Sequence, residues 1–402
     1  MEKVGKYITN YIKGKTPKVL INNGDDDTLP YLSPDYLRGV SEPEQYTKQD
    51  TKSVVIDDGE VIVLWDGSNA GEVLISKKGV LASTMTMLQF DETQIDKAYF
   101  GYSFQNLEYI LKAKTAGSGI PHADKGVISK LEFYKPSLPE QTAIANILSK
   151  VDEAIAAVQG SIAAAERLKK SLMQNLLTGR MKPDGTLRKD DEFYTDEKFG
   201  KVPKGWEVKR VDEIADFVQY GLNQASSETG NIPMFRMNNI VNGVMQNYPL
   251  VYVNLNEMTL GQYKLEKGDI LFNRTNSMDL VGKVGVFKLE GDYVFASYLI
   301  RIRVSKDNNP YFVNYALNSH PIQCSLRSKA TPAVSQANIN SKSLRGTFIL
   351  IPKEKREQDG IVSRIEQVEL GINNKQQKIA TLERLKKSLM QNLLTGRVRV
   401  KK

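Results

Sequence analysis

The sequence predicts an α/β (α+β) protein in which two β-rich globular domains are separated by two long antiparallel helices that form a coiled coil. Two observations carry this prediction. The fifteen residues ERLKKSLMQNLLTGR at 166–180 recur without change at 383–397, an offset of 217 positions. Each copy ends a stretch of helical periodicity, and each stretch follows a long segment whose short apolar runs, bounded by Gly, Asn and Asp, are typical of strands.

The long helices are predicted from apolar residues spaced alternately by three and four positions. The pattern runs through 144–176 and, at the same offset, through 361–393, and it is the seam of a coiled coil. Each helix is expected to extend for about 38 residues, or roughly 57 Å. A helix this long needs another to cover its seam, so we expect an intramolecular pair related by a pseudo-twofold axis; a homodimeric coiled coil is the alternative. The predicted seam includes Leu168 and its repeat Leu385, and Lys375 interrupts it.

The segments before the two helices share landmarks in the same order, and both continue with an aromatic-rich helix, a polar loop and an apolar strand. The corresponding landmarks are 29–32 and 232–235, 59–63 and 268–272, and 80–83 and 294–297. The chain is accordingly divided into a first domain at 1–135, a central helix at 136–180, a charged connector at 181–200 with a Pro-Asp-Gly turn, a second domain at 201–352 and a C-terminal helix at 353–397.

Composition excludes several classes of protein. Cys324 is the single cysteine among 402 residues, so neither an internal disulfide framework nor a multi-cysteine zinc site is expected. No apolar run approaches the roughly 18 residues of a membrane span, and the first residues lack the apolar core of a secretory signal. A cytoplasmic location is therefore expected.

The positive charge of the chain is unevenly distributed. The formal net charge is +8, and between Arg301 and Arg345 seven basic residues stand against Asp307 alone. Segregated positive charge is typical of phosphate binding. A solvated basic face is the alternative interpretation.

Several segments, taken together and in order, give the chain a family resemblance. They are PMFRMNNI at 233–240, GDILFNRTNS at 268–277, YVFASYLIRI at 293–302, QANIN at 336–340, and the Glu-Gln pairs at 140–141 and 357–358 that open the long helices. With these segments the chain resembles the specificity subunit of Type I restriction–modification systems.

The resemblance implies two target recognition domains, each of which reads one half of a split double-stranded DNA sequence, with the helices as a spacer. It also implies that two modification (methyltransferase) subunits, which bring S-adenosylmethionine and methylate adenine, dock on the helices. Restriction (translocase/endonuclease) subunits would join them with ATP and Mg. No catalytic residue, metal site or cofactor is then expected in this chain.

The first candidate reader is the polar loop that ends the strand beginning at Gly268. Arginine pairs bidentately with guanine and asparagine with adenine, whereas a turn whose asparagines bond their own backbone is the alternative. The candidate DNA-binding residues are Asn273, Arg274, Asn276 and Ser277 in this loop and Asp66, Ser68 and Asn69 in the corresponding loop of the first domain. Asp66 is suited to accept a hydrogen bond from cytosine, or to serve as a turn residue.

The second candidate lies between the aromatic-rich helix and the last strand of each domain. Basic residues stand there beside small, flexible ones, which lets backbone approach phosphate; a surface connector is the alternative. The candidate residues are Lys112, Lys114 and His122 in the first domain and Arg327, Lys329, Gln336 and Asn338 in the second. Lys13 and Lys15, in a Lys-Gly-Lys stretch, are further candidates of the same kind.

Three other functions are weighed against this one. A coiled-coil interaction scaffold would need no DNA-reading loops. A stand-alone DNA methyltransferase would use the Asn-Pro-Tyr-Phe run at 309–312, which otherwise is a helix start with Asn309 as N-cap. A nuclease would use the carboxylates of Asp184 and Glu207 to hold magnesium, with Lys209 as the basic residue of the motif, although Asp184 also fits a turn.

Overall fold

The computed structural model describes residues 1–48, 53–115, 121–332 and 336–400. The chain forms two compact units. Unit 1 comprises Met1–Ser161 and Lys375–Lys402, and unit 2 comprises Ile162–Asn374. Each long helix therefore contributes its beginning to one unit and its end to the other.

Two helices dominate the described residues, Leu138–Leu176 and Lys355–Leu393, which we call the first and second long helix. Both contain 39 residues, and their bounds differ by the repeat offset of 217. The shorter α-helices are Pro34–Leu37, Lys97–Ala113, Lys125–Lys130, Val211–Ile214, Glu257–Tyr263, Pro310–Leu317, His320–Ser328 and Ser341–Arg345, and the 3-10 turns are Val4–Lys6, Asp190–Glu192 and Met237–Asn239.

Unit 1 contains a main sheet in which neighbouring strands are antiparallel. Its strands, in spatial order, are Ile8–Lys13, Met85–Phe90, Val61–Leu64 and Val73–Ile75. A second sheet orders Tyr46–Thr47, Leu29–Leu32, Gly79–Leu81 and Val55–Ile56, and Glu2–Lys3 pairs with Glu132–Phe133. All four side chains of Val61–Leu64 are buried, because the strand is covered on both faces.

Unit 2 repeats this plan with additions. Its main sheet orders Ala215–Tyr220, Leu299–Val304, Ile270–Asn273, Val284–Val286, Val244–Met245 and Ile240–Val241, and its second sheet orders Val251–Val253, Ile232–Phe235 and Val294–Phe295. Smaller pairings join Phe193–Asp196 to Gly200–Pro203, Trp206–Arg210 to Phe348–Pro352, and Ala337–Asn338 to both Thr275–Asn276 and Thr331–Pro332. The predicted landmark pairs of the two domains occupy matching strands.

An aromatic-rich helix covers the main sheet in each unit. In unit 1 it is Lys97–Ala113, where Asp96 accepts a hydrogen bond from the backbone N–H of Tyr99 as N-cap. In unit 2 it is Pro310–Leu317, where Asn309 caps the helix and proline takes the first position. The predicted aromatic-rich helices are confirmed, and so is the structural role of Asn309.

A buried glutamine near the start of each long helix holds that helix to its domain. Gln141 Nε2 donates to the carbonyls of Gln94 and Pro136 at 3.1 and 3.0 Å, and its Oε1 accepts from Asp96 N at 2.9 Å. Its repeat Gln358 donates from Nε2 to Pro352 O at 2.9 Å and to Asn308 Oδ1 at 3.1 Å. Gln358 Oε1 accepts from Asn309 N at 2.7 Å. The glutamines of the Glu-Gln pairs thus attach the first turn of each long helix to its domain.

Ion pairs within the two units show that the long helices run antiparallel. Asp152 Oδ1 lies 2.7 Å from Lys386 Nζ in unit 1, and Glu369 Oε1 lies 2.9 Å from Lys169 Nζ in unit 2. Position 152 meets 386 whereas the later position 169 meets the earlier position 369. The predicted antiparallel pair of long helices in one chain is confirmed.

The apolar seam differs from the prediction in the last third of each long helix. Ile144 and Ile361 are fully buried, but Leu168 and Leu385 are 53% and 47% exposed. A straight α-helix drifts by about 20° per heptad relative to a 3.5-residue repeat. At this level the face toward the partner helix has therefore moved to the next position, where Lys169 and Lys386 form ion pairs across the helices. The last seam residues, Leu176 and Leu393, are buried again.

The connector is more ordered than the sequence suggests. Phe193–Asp196 and Gly200–Pro203 form an antiparallel hairpin within 181–203. The Asp196 carboxylate accepts hydrogen bonds from the backbone N–H groups of Lys198 and Phe199 at 2.8 and 3.0 Å. An aspartate turn of this kind closes the hairpin without apolar periodicity, which explains why the pattern indicated a simple linker.

Candidate nucleic-acid interface

In each unit, one residue at the end of a main-sheet strand joins the two predicted candidate loops. Trp65 donates its N–H to Thr84 O at 2.7 Å and accepts from Ala123 N at 2.8 Å. Arg274 donates its N–H to Tyr298 O at 3.0 Å and accepts from Ile339 N at 2.9 Å. Trp65 and Arg274 therefore occupy the same backbone position, and the strand-end loop meets the later polar loop in both units.

In each unit, a glycine allows the end of an edge strand to lie close to these two loops. Gly14 and Gly221 each follow the last residue of an edge strand, Lys13 or Tyr220. A Cβ on Gly14 would lie 2.1 Å from the carbonyl oxygen of Ala82, and one on Gly221 would lie 2.3 Å from the matching Ala296 oxygen. Only glycine permits this approach, which sets Lys13 and Tyr220 beside the loops.

The Asp66 cluster, made of Lys13, Asp66 and His122, lies at this position in unit 1. Asp66 Oδ2 accepts from Lys13 Nζ at 3.0 Å, and Oδ1 accepts from His122 Nδ1 at 2.6 Å. An isolated antiparallel bridge also pairs the backbones of Asp66 and His122. Three candidates separated by more than fifty positions thus meet around one carboxylate.

Electrostatics keeps the Asp66 carboxylate ionised. Its partial burial raises the pKa of Asp66, but hydrogen bonds from His122 and Lys13 outweigh that effect, and the net pKa lies below the ordinary value. The cluster presents one anion between two basic groups, with the side chains of Lys13 and His122 56% and 54% exposed. It combines hydrogen-bond acceptors and donors at a surface that a ligand can reach.

The Arg274 cluster, made of Tyr220, Arg274 and Asn338, lies at the corresponding position in unit 2. The Arg274 guanidinium lies 5.0 Å from the centre of the Tyr220 ring, and its Nη2 donates to Asn338 Oδ1 at 3.3 Å. Asn338 Nδ2 donates in turn to Thr275 Oγ1 at 2.9 Å, and Tyr220 Oη accepts from Ser341 N at 3.0 Å. These bonds orient a planar donor group at the strand end.

The remaining residues of the strand-end loop in unit 2 have mixed environments. Asn273 is 1% exposed and donates from Nδ2 to Leu280 O at 3.3 Å, so it supports the loop from beneath and cannot reach a base. Asn276 accepts from Ser277 N at 2.8 Å, and Ser277 is exposed. Both asparagines therefore bond local backbone, as the turn interpretation predicts.

The basic candidates that precede Asn338 are partly engaged by the protein itself. Lys329 Nζ donates to Thr347 Oγ1 at 3.2 Å, and burial, with a smaller effect from Lys198, lowers the pKa of Lys329. Arg327 is half-buried, and Gln336 is exposed. Within the described residues, no acceptor reaches Arg327 Nε. Residues 333–335 of this loop lie outside the described residues.

The other candidates of unit 1 lie on its surface. Lys112 pairs with Glu108 one helical turn earlier at 2.6 Å, an arrangement that stabilises the helix by a few tenths of a kcal/mol. The exposed candidates are Lys15, Ser68, Asn69 and Lys114. Residues 116–120 of the later loop lie outside the described residues.

Part of the excess of basic residues between 301 and 345 is explained by acceptors that lie elsewhere in the sequence. Arg301 is 3% exposed and donates to Lys264 O at 2.6 Å. Arg303 forms two 2.8 Å hydrogen bonds with Asp269, and Arg345 Nη1 lies 2.6 Å from Asp212 Oδ1. These three arginines are held by groups from distant parts of the sequence, so folding offsets part of the positive charge that the sequence window shows.

The motifs considered for enzymatic alternatives are also structural. Asp184 accepts from the backbone N–H of Thr186 at 2.8 Å in its turn, and Glu207 pairs with Lys209 at 2.9 Å. Across residues 1–48, 53–115, 121–332 and 336–400, no group of three His, Cys, Asp or Glu side chains is arranged to hold a metal ion. No helix in the described part of the chain has the length and hydropathy that crossing a bilayer requires.

Sequence reasoning missed Tyr220 and Trp65, the aromatic members of the two surfaces. The ring of Tyr11 meets Trp65 edge-on at 6.1 Å, whereas Tyr220 stacks beneath Arg274. A signal was available, since Lys13-Gly14 and Tyr220-Gly221 both end an edge strand at a glycine. Aligning the domains on these glycines would have identified Tyr220 as the counterpart of Lys13.

The two units have the same backbone arrangement at this position but carry different polar side chains on it. This combination is typical of a recognition protein with two recognition domains. The chain belongs to the family of Type I restriction modification DNA specificity domains, whose model matches residues 6–167 and 203–384. The resemblance inferred from the sequence is confirmed, and the chain is a non-catalytic specificity subunit.

Known relatives span nearly the whole chain. It is 30% identical over 412 residues to the Type I restriction enzyme MjaVIII specificity subunit of Methanocaldococcus jannaschii, which covers 99% of this chain and 92% of the relative. The MjaIX specificity subunit of the same organism is 24% identical over 409 residues, with coverage of 96% and 90%. The crystal structure of the Type-I restriction-modification S subunit from M. genitalium matches with a TM-score of 0.58 at 15% identity, covering 98% and 95% of the two chains, and shows the same fold.

Proposed function

We propose that the two units read the two halves of a split double-stranded DNA sequence, unit 1 through the Asp66 cluster and unit 2 through the Arg274 cluster. The observation that carries this proposal is the shared backbone position of Trp65 and Arg274, at which equivalent loops present unlike side chains. A scaffold that only organised other proteins would have no reason to vary the chemistry of one conserved frame. Two readers with different chemistry recognise two different half-sites.

The Arg274 cluster is suited to read guanine in the major groove. Its guanidinium bonds to Ser297 O and Asn338 Oδ1 are long, at 3.4 and 3.3 Å. Among the described residues, the buried Arg274 Nε has no acceptor. A guanidinium held in place by stacking but poorly satisfied in its hydrogen bonds gains most from the O6 and N7 acceptors of guanine. Tyr220 limits the rotation of the arginine and so reduces the entropy lost on binding.

The Asp66 cluster is suited to a different base. A carboxylate that is kept ionised accepts a hydrogen bond from the cytosine amino group, while Lys13 and His122 supply donors on either side. Exposed polar residues of the candidate loops in both units are suited to phosphate and sugar contacts, which fix register rather than identity. These are Lys15, Ser68, Asn69 and Lys114 in unit 1 and Gln336 and Ser277 in unit 2.

The identical segments 166–180 and 383–397 are proposed to dock two copies of one modification subunit. Both copies present an exposed leucine at the same repeat position, Leu168 and Leu385. Identical surfaces suit identical partners. Restriction subunits would complete the complex. S-adenosylmethionine would bind to the modification subunits, and ATP and Mg to the restriction subunits. The complex would act in the cytoplasm, where the DNA is.

Mapping the methylated adenines in DNA from cells that carry the complete system tests the proposal. The expected motif is split, with two short specified half-sites separated by unspecified bases. A continuous methylated sequence would contradict two separate readers. Methyl transfer by the purified chain alone would contradict the division of labour between subunits.

A further inference from the structure

A tyrosine of the aromatic-rich helix ties unit 1 to both long helices. Tyr102 Oη donates to Asp152 Oδ2 on the first long helix at 2.7 Å. The other oxygen of Asp152 accepts from Lys386 Nζ on the second long helix at 2.7 Å, and that nitrogen lies 5.3 Å from the Tyr102 ring centre. We call this set of three residues the Tyr102 joint.

The same arrangement recurs in unit 2. Tyr315 Oη donates to Glu369 Oε2 at 2.8 Å, and Lys169 Nζ lies 2.9 Å from Glu369 Oε1. Glu369 and Lys386 stand 217 positions after Asp152 and Lys169, so the carboxylate and lysine positions of this Tyr315 joint are the repeat counterparts of those in unit 1. Because the contact recurs in two domains of different sequence, we expect it to serve the same positioning role in both.

Each joint borders a cleft on one side, while its tyrosine ring packs against the apolar core of its unit on the other. A cleft of about 390 Å³ adjoins Tyr102 and Asp152, with Ile75 and Gln105 in its wall. Another, of about 350 Å³, adjoins Tyr315 and Glu369. Close packing fixes geometry elsewhere in a protein, but beside a cleft the charge-assisted hydrogen bonds must do so.

We infer that the Tyr102 and Tyr315 joints are positioning devices that make the complex discriminate between gap lengths in its split target. The inference rests on the proposed function. Base recognition depends on the loops at the strand ends, whereas the gap depends on the angle between each domain and the helices. Loosening a joint therefore widens the range of gaps that are accepted and leaves the bases read unchanged.

The two joints differ in strength. Ser149, whose hydroxyl lies 3.3 Å from Tyr102 Oη, is the repeat counterpart of Glu366. Glu366 pairs with Lys288 at 2.8 Å, and Lys288 Nζ lies 4.7 Å from the Tyr311 ring. Unit 2 thus gains a second ion pair at the place where unit 1 has only a hydroxyl contact. Gap discrimination is consequently more sensitive to loss of the Tyr102 joint.

The tyrosine hydroxyls are dependable donors. Burial raises the pKa of Tyr102 and of Tyr315 well above the ordinary value, and the adjacent carboxylates raise it further. Each tyrosine hydroxyl accordingly keeps its proton, and remains a donor, above the ordinary pKa of tyrosine. Replacing tyrosine by phenylalanine removes the hydrogen bond and keeps the half-buried ring, which separates positioning from core packing.

The test measures methyl transfer by the complete complex on duplexes that contain both half-sites with the natural gap or with one base pair more or fewer. Tyr102→Phe is expected to lower the ratio of natural-gap to altered-gap methylation by about tenfold, as loss of a hydrogen bond to a charged group implies. Penalties for base changes within either half-site should match those of the wild type. Tyr315→Phe should lower the ratio less.

Matched variants separate the joint from general damage. Tyr109→Phe, on the exposed face of the same helix, should leave the ratio unchanged. Lys386→Met should act like Tyr102→Phe, whereas Lys386→Arg should restore most of the discrimination, because it keeps the ion pair. Circular dichroism of each variant reports its folding.

Three results would overturn the inference. Wild-type gap ratios in both Tyr102→Phe and Lys386→Met would show that the joints do not position the domains. An equal loss of half-site and gap discrimination would indicate a merely structural role. Methylation of a continuous target by the wild-type complex would contradict the proposed function, and the inference would fail with it. This result is obtained from the wild type alone, before any variant is made, so the two failures are distinguishable.

Discussion

Arg399 holds Glu140 through two parallel hydrogen bonds, from Nε to Oε1 and from Nη2 to Oε2, each 2.7 Å long. The pair joins the end of the chain to the start of the first long helix, within unit 1. Unit 2 contains a related tie, in which Arg188 and Trp206 both donate to Oε1 of Glu357, the repeat counterpart of Glu140. Both glutamates of the Glu-Gln pairs therefore anchor an arginine that follows a repeat segment.

Arg399→Ala should destabilise the chain at neutral pH and much less in acid. The hydrogen bonds from Arg399 hold the pKa of Glu140 below its ordinary value, although burial opposes them. A lowered folded-state pKa means that the stabilisation is fully present above the unfolded-state pKa of glutamate, about 4.3. It disappears as the pH falls through the folded-state pKa.

Urea unfolding of wild type and Arg399→Ala between about pH 7 and about pH 3.5 measures this effect. The difference between their free energies of unfolding should shrink as the pH falls. Arg397→Ala, at an exposed neighbouring position, is the control. A difference that grows in acid would contradict the assigned role of Glu140.

Arg274→Ala should alter one half of the methylated motif only. Loss of a bidentate arginine–guanine contact costs about 1–3 kcal/mol of discrimination at one base. Sequencing of methylated adenines in cells expressing the variant should show a relaxed position in the half-site assigned to unit 2. Arg210→Ala, which removes an exposed arginine of the same unit, is the control. Equal weakening of both half-sites would instead make Arg274 a phosphate anchor or a folding element.

Asp66→Asn should alter the other half of the motif. The substitution keeps the size of the side chain but removes the charge that binds Lys13 and His122, so the donors around it are released. The expected result is a change of preference at one base in the half-site assigned to unit 1, worth about 1–3 kcal/mol. Asp26→Asn, on the exposed surface of the same unit, should leave the motif unchanged. An effect confined to the half-site of unit 2 would refute the assignment.

Gln358→Leu should destabilise unit 2. The substitution leaves the Pro352 carbonyl and the Asn309 N–H without their partner in a buried site. Each unsatisfied buried group costs about 1–3 kcal/mol, so a loss of about 2–4 kcal/mol is expected. Urea denaturation gives the measurement. Gln376→Leu, at an exposed position of the same helix, should change stability little, and comparable losses in the two variants would disprove a specific role for Gln358.

The long helices and the paired domains could be predicted because their signals are local or repeated. The identical segments set the offset of 217 that also relates both helix boundaries. The exposure of Leu168 could not be predicted, because it depends on how far a nearly straight helix rotates its stripe away from its partner. The hairpin at 193–203 was hidden because an aspartate turn rather than apolar alternation specifies it.

The candidate site was predictable in outline and not in detail. Asp66 and His122 were each selected for their chemistry, but the bridge that pairs them across 56 positions is a product of tertiary structure. Asn273 has the chemistry of a reader, yet its strand carries it into the core. The basic run that includes Arg301 was misleading because a sequence window cannot include acidic partners that folding brings in from elsewhere.

The apolar core of unit 1 includes Leu393 and Leu394 beside Phe100 and Ile144. During synthesis, the first domain must therefore wait for Leu393 and Leu394 to emerge before its core can be completed. Unit 2 is translated in full before these two leucines, since its residues end at Asn374. The nascent chain is thus expected to complete its second globule first, which leaves the first one accessible to chaperones and proteases until Leu393 and Leu394 have joined its core.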